Sequence, residues 1–457
     1  MVSSKRNVFG TKGEMGIDFM VLVLSVSWFC LTSICVSATK QAYPPTPQPN
    51  QNLRFDQNGE FKILQVADMH YANGKTTPCL DVLPSQNFSC SDLNTTVFLN
   101  RMIKAEKPNL IVFTGDNIFG FDSSDSAKSL DAAFAPAIAS NIPWVAVLGN
   151  HDQEGTLSRA GVMNHIVGMK NTLSKFNPPE VHIIDGFGNY NLDVGGVQGT
   201  DFENKSVLNL YFLDSGDYSQ VSTIFGYDWI KPSQQLWFQR TSAKLKKAYI
   251  SKPVPQKDAA PGLAYFHIPL PEYASFDSSN MTGVKQEPDG NGISSPSVNS
   301  GFFTTLLAAG DVKAVFTGHD HINDFCGNLM NIQLCYGGGF GYHAYGKAGW
   351  PRRARVVVAS LEKTGKGSWG DVKSIKTWKR LDDQHLTGID GEVLWSKSTG
   401  AQETRGLVDM EEYRAVHRKI FKELRKTVLE VQSEFKSILL WQSKLYTWKK
   451  MNVKKRC

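Results

Sequence analysis

Cysteine is scarce in this chain, with 7 among 457 residues, and none of the spacing is that of a zinc finger. A disulfide-packed fold is excluded on the same count. Charged residues make up only 20%, and the 39 Gly and 20 Pro follow no collagen-like period, so neither a disordered polyelectrolyte nor a fibrous chain is indicated. No internal repeat of solenoid type is present. What remains is an ordinary globular composition, 41% hydrophobic and 11% aromatic. The length accommodates two or three domains of about 150 residues, or one large α/β domain with extensions. A net charge of +6 hints at an anionic partner. The charge is unevenly placed: residues 401–457 hold 14 Lys/Arg against 7 Asp/Glu and residues 1–38 hold 3 against 2, leaving the body at −2. Nucleic acid is therefore not expected as a partner of the body.

The two ends read as appendages. Lys5, Arg6 and Lys12 precede an apolar run over residues 19–36, followed by small residues at Val36-Ser37-Ala38, the layout of a signal peptide over 1–38. An uncleaved signal anchor is the competing reading, because a run of that length approaches what crosses a bilayer. Both deliver the body to the secretory pathway, with a secreted, cell-wall or vacuolar destination. A Pro/Gln-rich linker occupies 39–54, and a basic tail occupies 400–457. In that tail Tyr413, Val416, Ile420, Leu424, Val428, Val431 and Phe435 recur at steps compatible with an amphipathic helix. Membrane contact is expected only through leader or tail. Beyond the leader, Cys79/Cys90 and Cys326/Cys335 form two close pairs suited to stapling loops in an oxidising compartment, with free buried thiols as the alternative. Sequons at Asn87, Asn94, Asn204 and Asn280 suit N-glycans on the surface.

Between these ends, β-rich apolar runs alternate with helical patterns. Strands are predicted at Lys62–Ala67, Leu110–Thr114, Trp144–Leu148, Val207–Leu213, Leu263–His267, Lys313–Thr317, Ile332–Tyr336 and Arg355–Ser360. Helices are predicted near 95–106, 125–140, 158–170, 233–250 and 300–309. Continuous apolar strands imply sheets buried on both faces by helices, an α/β class. The long polar stretches 71–94 and 273–299 read as loops that line or cover a site.

The chemistry follows the strands. Their ends carry Asp68-Met-His70, Gly115-Asp116-Asn117, Gly149-Asn150-His151-Asp152, His267-Ile-Pro and Gly318-His319-Asp-His321. Ligands in open α/β folds sit beyond the carboxyl ends of strands, so five such loops can converge. Each offers carboxylate, imidazole or amide oxygen, all metal ligands. Such sites suit hydrolysis of a phosphate ester, since two cations about 3.5–4 Å apart neutralise the phosphoryl oxygens and activate water. A carboxylate must bridge them, and Asp116, in a Gly-Asp turn, is the natural candidate.

The order and form of these motifs resemble the calcineurin-like metallophosphoesterase superfamily, most closely the short, single-domain plant purple acid phosphatase-like proteins, a subgroup often labelled inactive. The resemblance covers roughly residues 55–360 and extends through Lys397, and it suggests one catalytic domain over 55–399. It implies a four-layer α/β/β/α sandwich of two mixed β-sheets flanked by helices. It also implies one metal held by Asp68, His70, Asp116 and His321, and a second held by Asp116, Asn150, His267 and His319. The implied activity is dinuclear metal-dependent hydrolysis of phosphate monoesters, on a phosphorylated small molecule or phosphoprotein, by a metal-activated hydroxide with His151 as general acid. Asn150 would offer oxygen to metal and N–H to phosphate. Alternatives on the same site are a phosphodiesterase, a pyrophosphatase, a phosphoprotein phosphatase or a catalytically weak regulatory homologue. Two departures matter. Purple enzymes carry a metal-binding Tyr where this chain has Phe119, and they lack a histidine at the position of His70. A colourless enzyme with Fe, Zn or Mn in its metal pair is expected.

Further positions are weighed. Asp152 is expected to orient an imidazole or to cap its loop, and Asp320 to point away. His343 is read as a turn residue, with the site mouth as the alternative. Arg352, Arg353 and Arg355 are read as hydrated surface groups or attractors of phosphate. Tyr71 and the loop through Cys79 are the candidates for substrate contact.

Overall fold

The computed structural model describes residues 53–397 except 180–182, 253, 289–291 and 365–367. The leader, most of the linker, the tail and the cysteines within them lie outside the described residues. Two mixed sheets form the centre. The first runs β13-β12-β11-β1-β2-β3, where β1 is Glu60–Val66, β2 Leu110–Thr114, β3 Trp144–Val147, β11 Arg353–Lys363, β12 Trp369–Leu381 and β13 Gly388–Ser396. The second runs β4-β5-β6-β8-β10-β9-β7. Its strands are β4 Tyr190–Gly195, β5 Ser206–Phe212, β6 Gly262–Tyr265, β7 Met281–Thr282, β8 Val312–Thr317, β9 Cys326–Leu329 and β10 Ile332–Tyr336. Strands β1/β2/β3 and β5/β6/β8/β10 run parallel within their sheets; antiparallel strands extend the first sheet beyond β1 and the second sheet on both sides, while β3 is a parallel edge.

The sheets pack on each other because the apolar strands split their side chains by face. In β5 and the residue after it, Leu210 and Phe212 join the core shared with the first sheet, while Tyr211 and Leu213 join the core beneath the outer helices. Leu263 and Tyr265 against Ala264, and Ala314 and Phe316 against Val315, repeat this division. Tyr190, Phe212, Tyr265 and Phe316 stack across four neighbouring strands at 4.8, 5.4 and 5.1 Å between centroids.

Helices cover the outer faces, as the continuous apolar strands predict. After a short α1 (Pro84–Asn87), α2 (Asp92–Glu106), α3 (Ser126–Ser140) and α4 (Arg159–Val167) contribute Phe98, Leu130, Phe134 and Val162 to the core of the first sheet. Similarly α5 (Pro232–Ile250) and α6 (Phe302–Ala309) bring Trp237, Phe238 and Phe302 to the second. Their starts carry capping chemistry: Ser91 accepts from Leu93 N, Asp125 from Lys128 N and Ser158 from Gly161 N. All eight predicted strands and five predicted helices are present within a few residues. Strands β4, β7, β9, β12 and β13 were not anticipated. Both cysteine pairs are disulfides, Cys79–Cys90 and Cys326–Cys335. The first staples the 71–94 loop and the second joins β9 to β10. No described helix is long and apolar enough to cross a membrane.

Candidate metal centre

Five parallel strands aim their carboxyl ends at one place. From the first sheet, β1 leads into Asp68 and His70, β2 into Asp116, and β3 into Asn150 and His151. From the second, β6 leads into His267, and β8 into His319 and His321. The backbone departs from ordinary conformations to do so: Asp68, His70, Asp116 and His319 have φ of 58°, 44°, 47° and 79°. Non-glycine residues in that region cost about 1 kcal/mol or more each, a cost commonly found at functional sites. The glycines beside them are required by close approach. A Cβ on Gly149 would lie 2.1 Å from Asp116 Oδ1, and one on Gly115 would lie 2.5 Å from the His267 ring.

Two groups of buried ligand atoms result, each with all its atoms within 4.8 Å of one another: Asp68, His70, Asp116 and His321, and Asp116, His267 and His319. Asp116 belongs to both. Its Oδ2 is 3.3 Å from His70 Nε2 and 3.1 Å from His267 Nε2, and its Oδ1 accepts from His151 N at 2.8 Å. Asn150 Oδ1 lies 3.2 Å from His267 Nε2, beside the second group. Outer contacts fix the rings: His267 Nδ1 and His321 Nδ1 lie 2.9 Å from the carbonyls of Thr114 and Tyr345, turning each Nε2 inward. Asp68 Oδ2 and His319 Nε2 are buried with no hydrogen-bond partner, and His70 Nε2 faces only Asp116 Oδ2. Orphaned buried polar atoms are costly, and as a set of carboxylate and imidazole donors these residues fit a pair of cations.

Three of the imidazoles are already in the neutral form that a cation needs. Burial holds His70 down at about 4 and His319 and His321 well below an ordinary imidazole, so all three are neutral. Burial pushes Asp68 well above the carboxylate range. Asp116 would be raised by burial too, but His267 and His70 against its oxygens hold it well below. Burial would depress His267, yet Asp116 and Asp68 lift it to about 9. One imidazolium therefore balances the shared carboxylate when no metal does.

His151 stands at the edge, half-buried, its ring 5.2 Å from His70 and 4.9 Å from Phe119. Its Nδ1 meets Glu154 Oε2 at 2.6 Å. The carboxylate expected to orient an imidazole was Asp152, and the other reading holds instead. Asp152 is buried and accepts from the backbone N–H groups of Asn117, Ile118 and Gly149. It caps two site loops. Asp320 points away, accepting from Tyr336 Oη and Ser294 N. His343 is buried between Pro78 O and Asp122 Oδ2, bracing the 71–94 loop rather than reaching the mouth.

Other expectations are corrected. Arg352, Arg353 and Arg355 are neither hydrated nor available to a phosphate. They are buried, and their guanidinium groups donate to Ala344 O, Asp324 Oδ2 and Tyr336 O respectively. Tyr71 is buried, with its hydroxyl accepting from Thr96, so it offers no substrate contact. The mouth is instead lined by Tyr227, Glu287 and Tyr345, and Tyr218 Oη accepts from Asn150 Nδ2 at 3.3 Å. These residues follow no strand and carry no spacing signal. Glu154, three residues after His151, was the one with a sequence clue. Arg159, at the start of α4, holds the Gly149 and Gly216 carbonyls and pairs with Asp214.

Two sheets whose facing strand ends bring together two Asp/His groups sharing one carboxylate define a fold with groups positioned for a binuclear metal site. The chain belongs to the calcineurin-like phosphoesterase family, whose model matches residues 61–323. It is 65% identical over 383 residues to "Probable inactive purple acid phosphatase 29" of Arabidopsis thaliana, covering 83% of this chain and 95% of that one. It is 53% identical over 384 residues to "Probable inactive purple acid phosphatase 14" of the same plant, covering 83% and 93%. It is 37% identical over 352 residues to "Phosphatase DCR2" of Saccharomyces cerevisiae, covering 74% of this chain and 56% of that one.

Proposed function

We propose that this protein is a dinuclear metal-dependent phosphomonoesterase. The observation that carries the reading is the pair of ligand groups sharing Asp116, with Asp68 Oδ2 and His319 Nε2 buried and without a hydrogen-bond partner. Asp68, His70, Asp116 and His321 would hold one ion, and Asp116, Asn150, His267 and His319 the other. Bound there, two cations would neutralise phosphoryl oxygens and lower the pKa of water. His151 then donates a proton from Nε2 to the leaving-group oxygen while Glu154 holds Nδ1. The Asn150 amide is oriented by His267 on its oxygen side and Tyr218 on its nitrogen side. Burial of the ligands keeps water from competing for these contacts.

The names of the Arabidopsis relatives favour a second reading, a catalytically weak regulatory homologue. Against it stands a competent side chain at every ligand position and at His151. Phe119, in contact with His70 at 5.4 Å between ring centroids, has no ligand atom, which supports a colourless pair of Fe, Zn or Mn. The two disulfides support passage through the secretory pathway. Asn87, Asn204 and Asn280 are exposed for glycans, whereas Asn94 Oδ1 accepts from Ser91 N in the cap of α2.

Metal analysis with a panel of phosphate esters tests the reading. About two equivalents of metal are expected, with turnover reduced about a thousandfold or more in Asp116→Asn and in His151→Ala. Stoichiometric metal without turnover of any ester would sink the phosphatase reading and leave the second.

A further inference from the structure

The loop from β5 to α5 brings a tyrosine to the second ligand group. Residues 217–228 pair as a short hairpin: Asp217 O accepts from Asp228 N at 3.0 Å and Gly226 O from Ser219 N at 2.9 Å, with Tyr218 opposite Tyr227 between them. Its base is tied to the loop that carries Asn150 and His151. Gln153 Nε2 donates to Asp217 Oδ2 at 2.9 Å, and Arg159 donates to the carbonyls of Gly149 and Gly216 at 2.6 and 3.0 Å. The rings of Tyr218 and Tyr227 stack at 5.6 Å between centroids, and Tyr227 in turn stands edge-on to His319 at 4.3 Å. The Tyr218 hydroxyl therefore has a set position. Its Oη accepts from Asn150 Nδ2 at 3.3 Å, while Asn150 Oδ1 lies 3.2 Å from His267 Nε2. One amide separates the phenol from a histidine of the group formed by Asp116, His267 and His319.

That position leaves a donor uncommitted. A phenol carries its proton at neutral pH and also accepts; here the oxygen accepts from Asn150, and the proton has no acceptor among the described residues. Tyr218 is 41% exposed, so a solute can reach it. Tyr227 and His319 also line, with Asp116 and His151, a cavity of 370 Å³ that has room for a phosphate ester.

We infer that Tyr218 is a catalytic residue whose hydroxyl donates a hydrogen bond to a phosphoryl oxygen of the ester. The inference rests on the phosphoester reading above. A phosphoryl oxygen drawn to the second ligand group comes within reach of the phenol, where the transition state spreads charge over its oxygens. A donor already held in place by the hairpin and its ring contacts needs no reorganisation to meet that charge. The proton stays on Tyr218, and protonation of the leaving group remains with His151.

Tyr218→Phe tests it on the metal-loaded full chain, because it keeps the stacked ring and removes only the hydroxyl. Three quantities are read: kcat/KM for an aryl phosphate, the Kd of inorganic phosphate by calorimetry, and bound metal. Expected are a fall in kcat/KM of about a hundredfold and a weakening of phosphate of about tenfold, with bound metal unchanged. Loss of metal in the variant would mean that Tyr218 acts only by holding Asn150, and it overturns the inference, as do unchanged kinetics and phosphate binding. A ring-fluorinated tyrosine at 218 keeps the hydroxyl and decides where Tyr218→Phe does not fold. Its fluorine resonance is expected to shift as phosphate is added, and a resonance that stays still overturns the inference. Phosphate binding that depends on the hydroxyl, without turnover of any ester, sinks the hydrolase reading and keeps this contact. Turnover that Tyr218→Phe leaves intact does the reverse. Absence of both phosphate binding and turnover in the unmodified protein overturns the two together.

Discussion

His151 and Glu154 form an acid-base pair at the mouth, part-exposed to solvent, at 2.6 Å. A charged carboxylate on Nδ1 fixes the ring and favours the tautomer that presents a proton on Nε2. Glu154→Gln keeps the size and removes the charge, so kcat is expected to fall about tenfold with KM little changed. Steady-state kinetics with one aryl phosphate checks this, and a fall confined to KM would assign Glu154 to substrate binding instead. Phe119 makes a second claim at the same scale. With a phenyl ring where a phenolate would be needed, the iron-loaded protein is expected to lack an intense visible absorption band. A strong purple absorbance in the purified protein would contradict it.

The elements that carry the ligands were the most legible part of the sequence, because buried parallel strands are continuous apolar runs and their polar residues begin abruptly at the strand end. Val112, Phe113 and Thr114 followed by Gly115-Asp116 show this directly. The antiparallel strands towards the edges were less legible. β12 reads WGDVKSIKTWKRL, yet Lys379 within it is fully buried, 2.8 Å from Asp324 Oδ1 and 2.5 Å from Asp390 Oδ2. A lysine paired inside a sheet looks in sequence like one facing water. The walls of the mouth were hidden for a related reason, since Tyr227, Glu287 and Tyr345 sit in loops whose meeting depends on the whole fold. Arg159 links these loops to the helices: from α4 it reaches the carbonyls of Leu148, Gly149 and Gly216 and the carboxylate of Asp214. Asp214 is buried, so Arg159→Leu leaves an uncompensated charge and is expected to cost about 3 kcal/mol. Adding Asp214→Asn is expected to recover part of that loss in a double-mutant cycle measured by chemical denaturation. Strict additivity would show that the two do not act as a pair.

At the scale of the whole molecule, the ligand cluster joins the two sheets, and its charge state sets how stability depends on pH. His267 is lifted from 6.5 to about 9 by Asp116 and Asp68 despite burial. A base whose folded pKa is raised contributes stability that is complete below its unfolded value and is lost as pH rises through the folded one. For the metal-free protein that window runs from 6.5 to about 9. Asp68, raised by burial, acts in the same direction at lower pH. Asp116 is held low by His267 and His70, so its contribution is present above the usual carboxylate value and is lost as pH falls through its own. On account of Asp116 and His267, metal-free protein is expected to be most stable between about pH 4 and 6.5, with raised Asp68 favouring the acid side of that window. Metal binding requires His267 neutral, so loading displaces its proton and affinity rises with pH up to about 9. The loaded protein keeps the cross-sheet attraction after the imidazolium is gone, because cations replace it. Thermal unfolding of chelated and metal-loaded samples across pH 6 to 9 is expected to show the chelated Tm falling and the gap between the two widening. Parallel curves would mean that the cluster does not couple metal binding to the packing of the sheets.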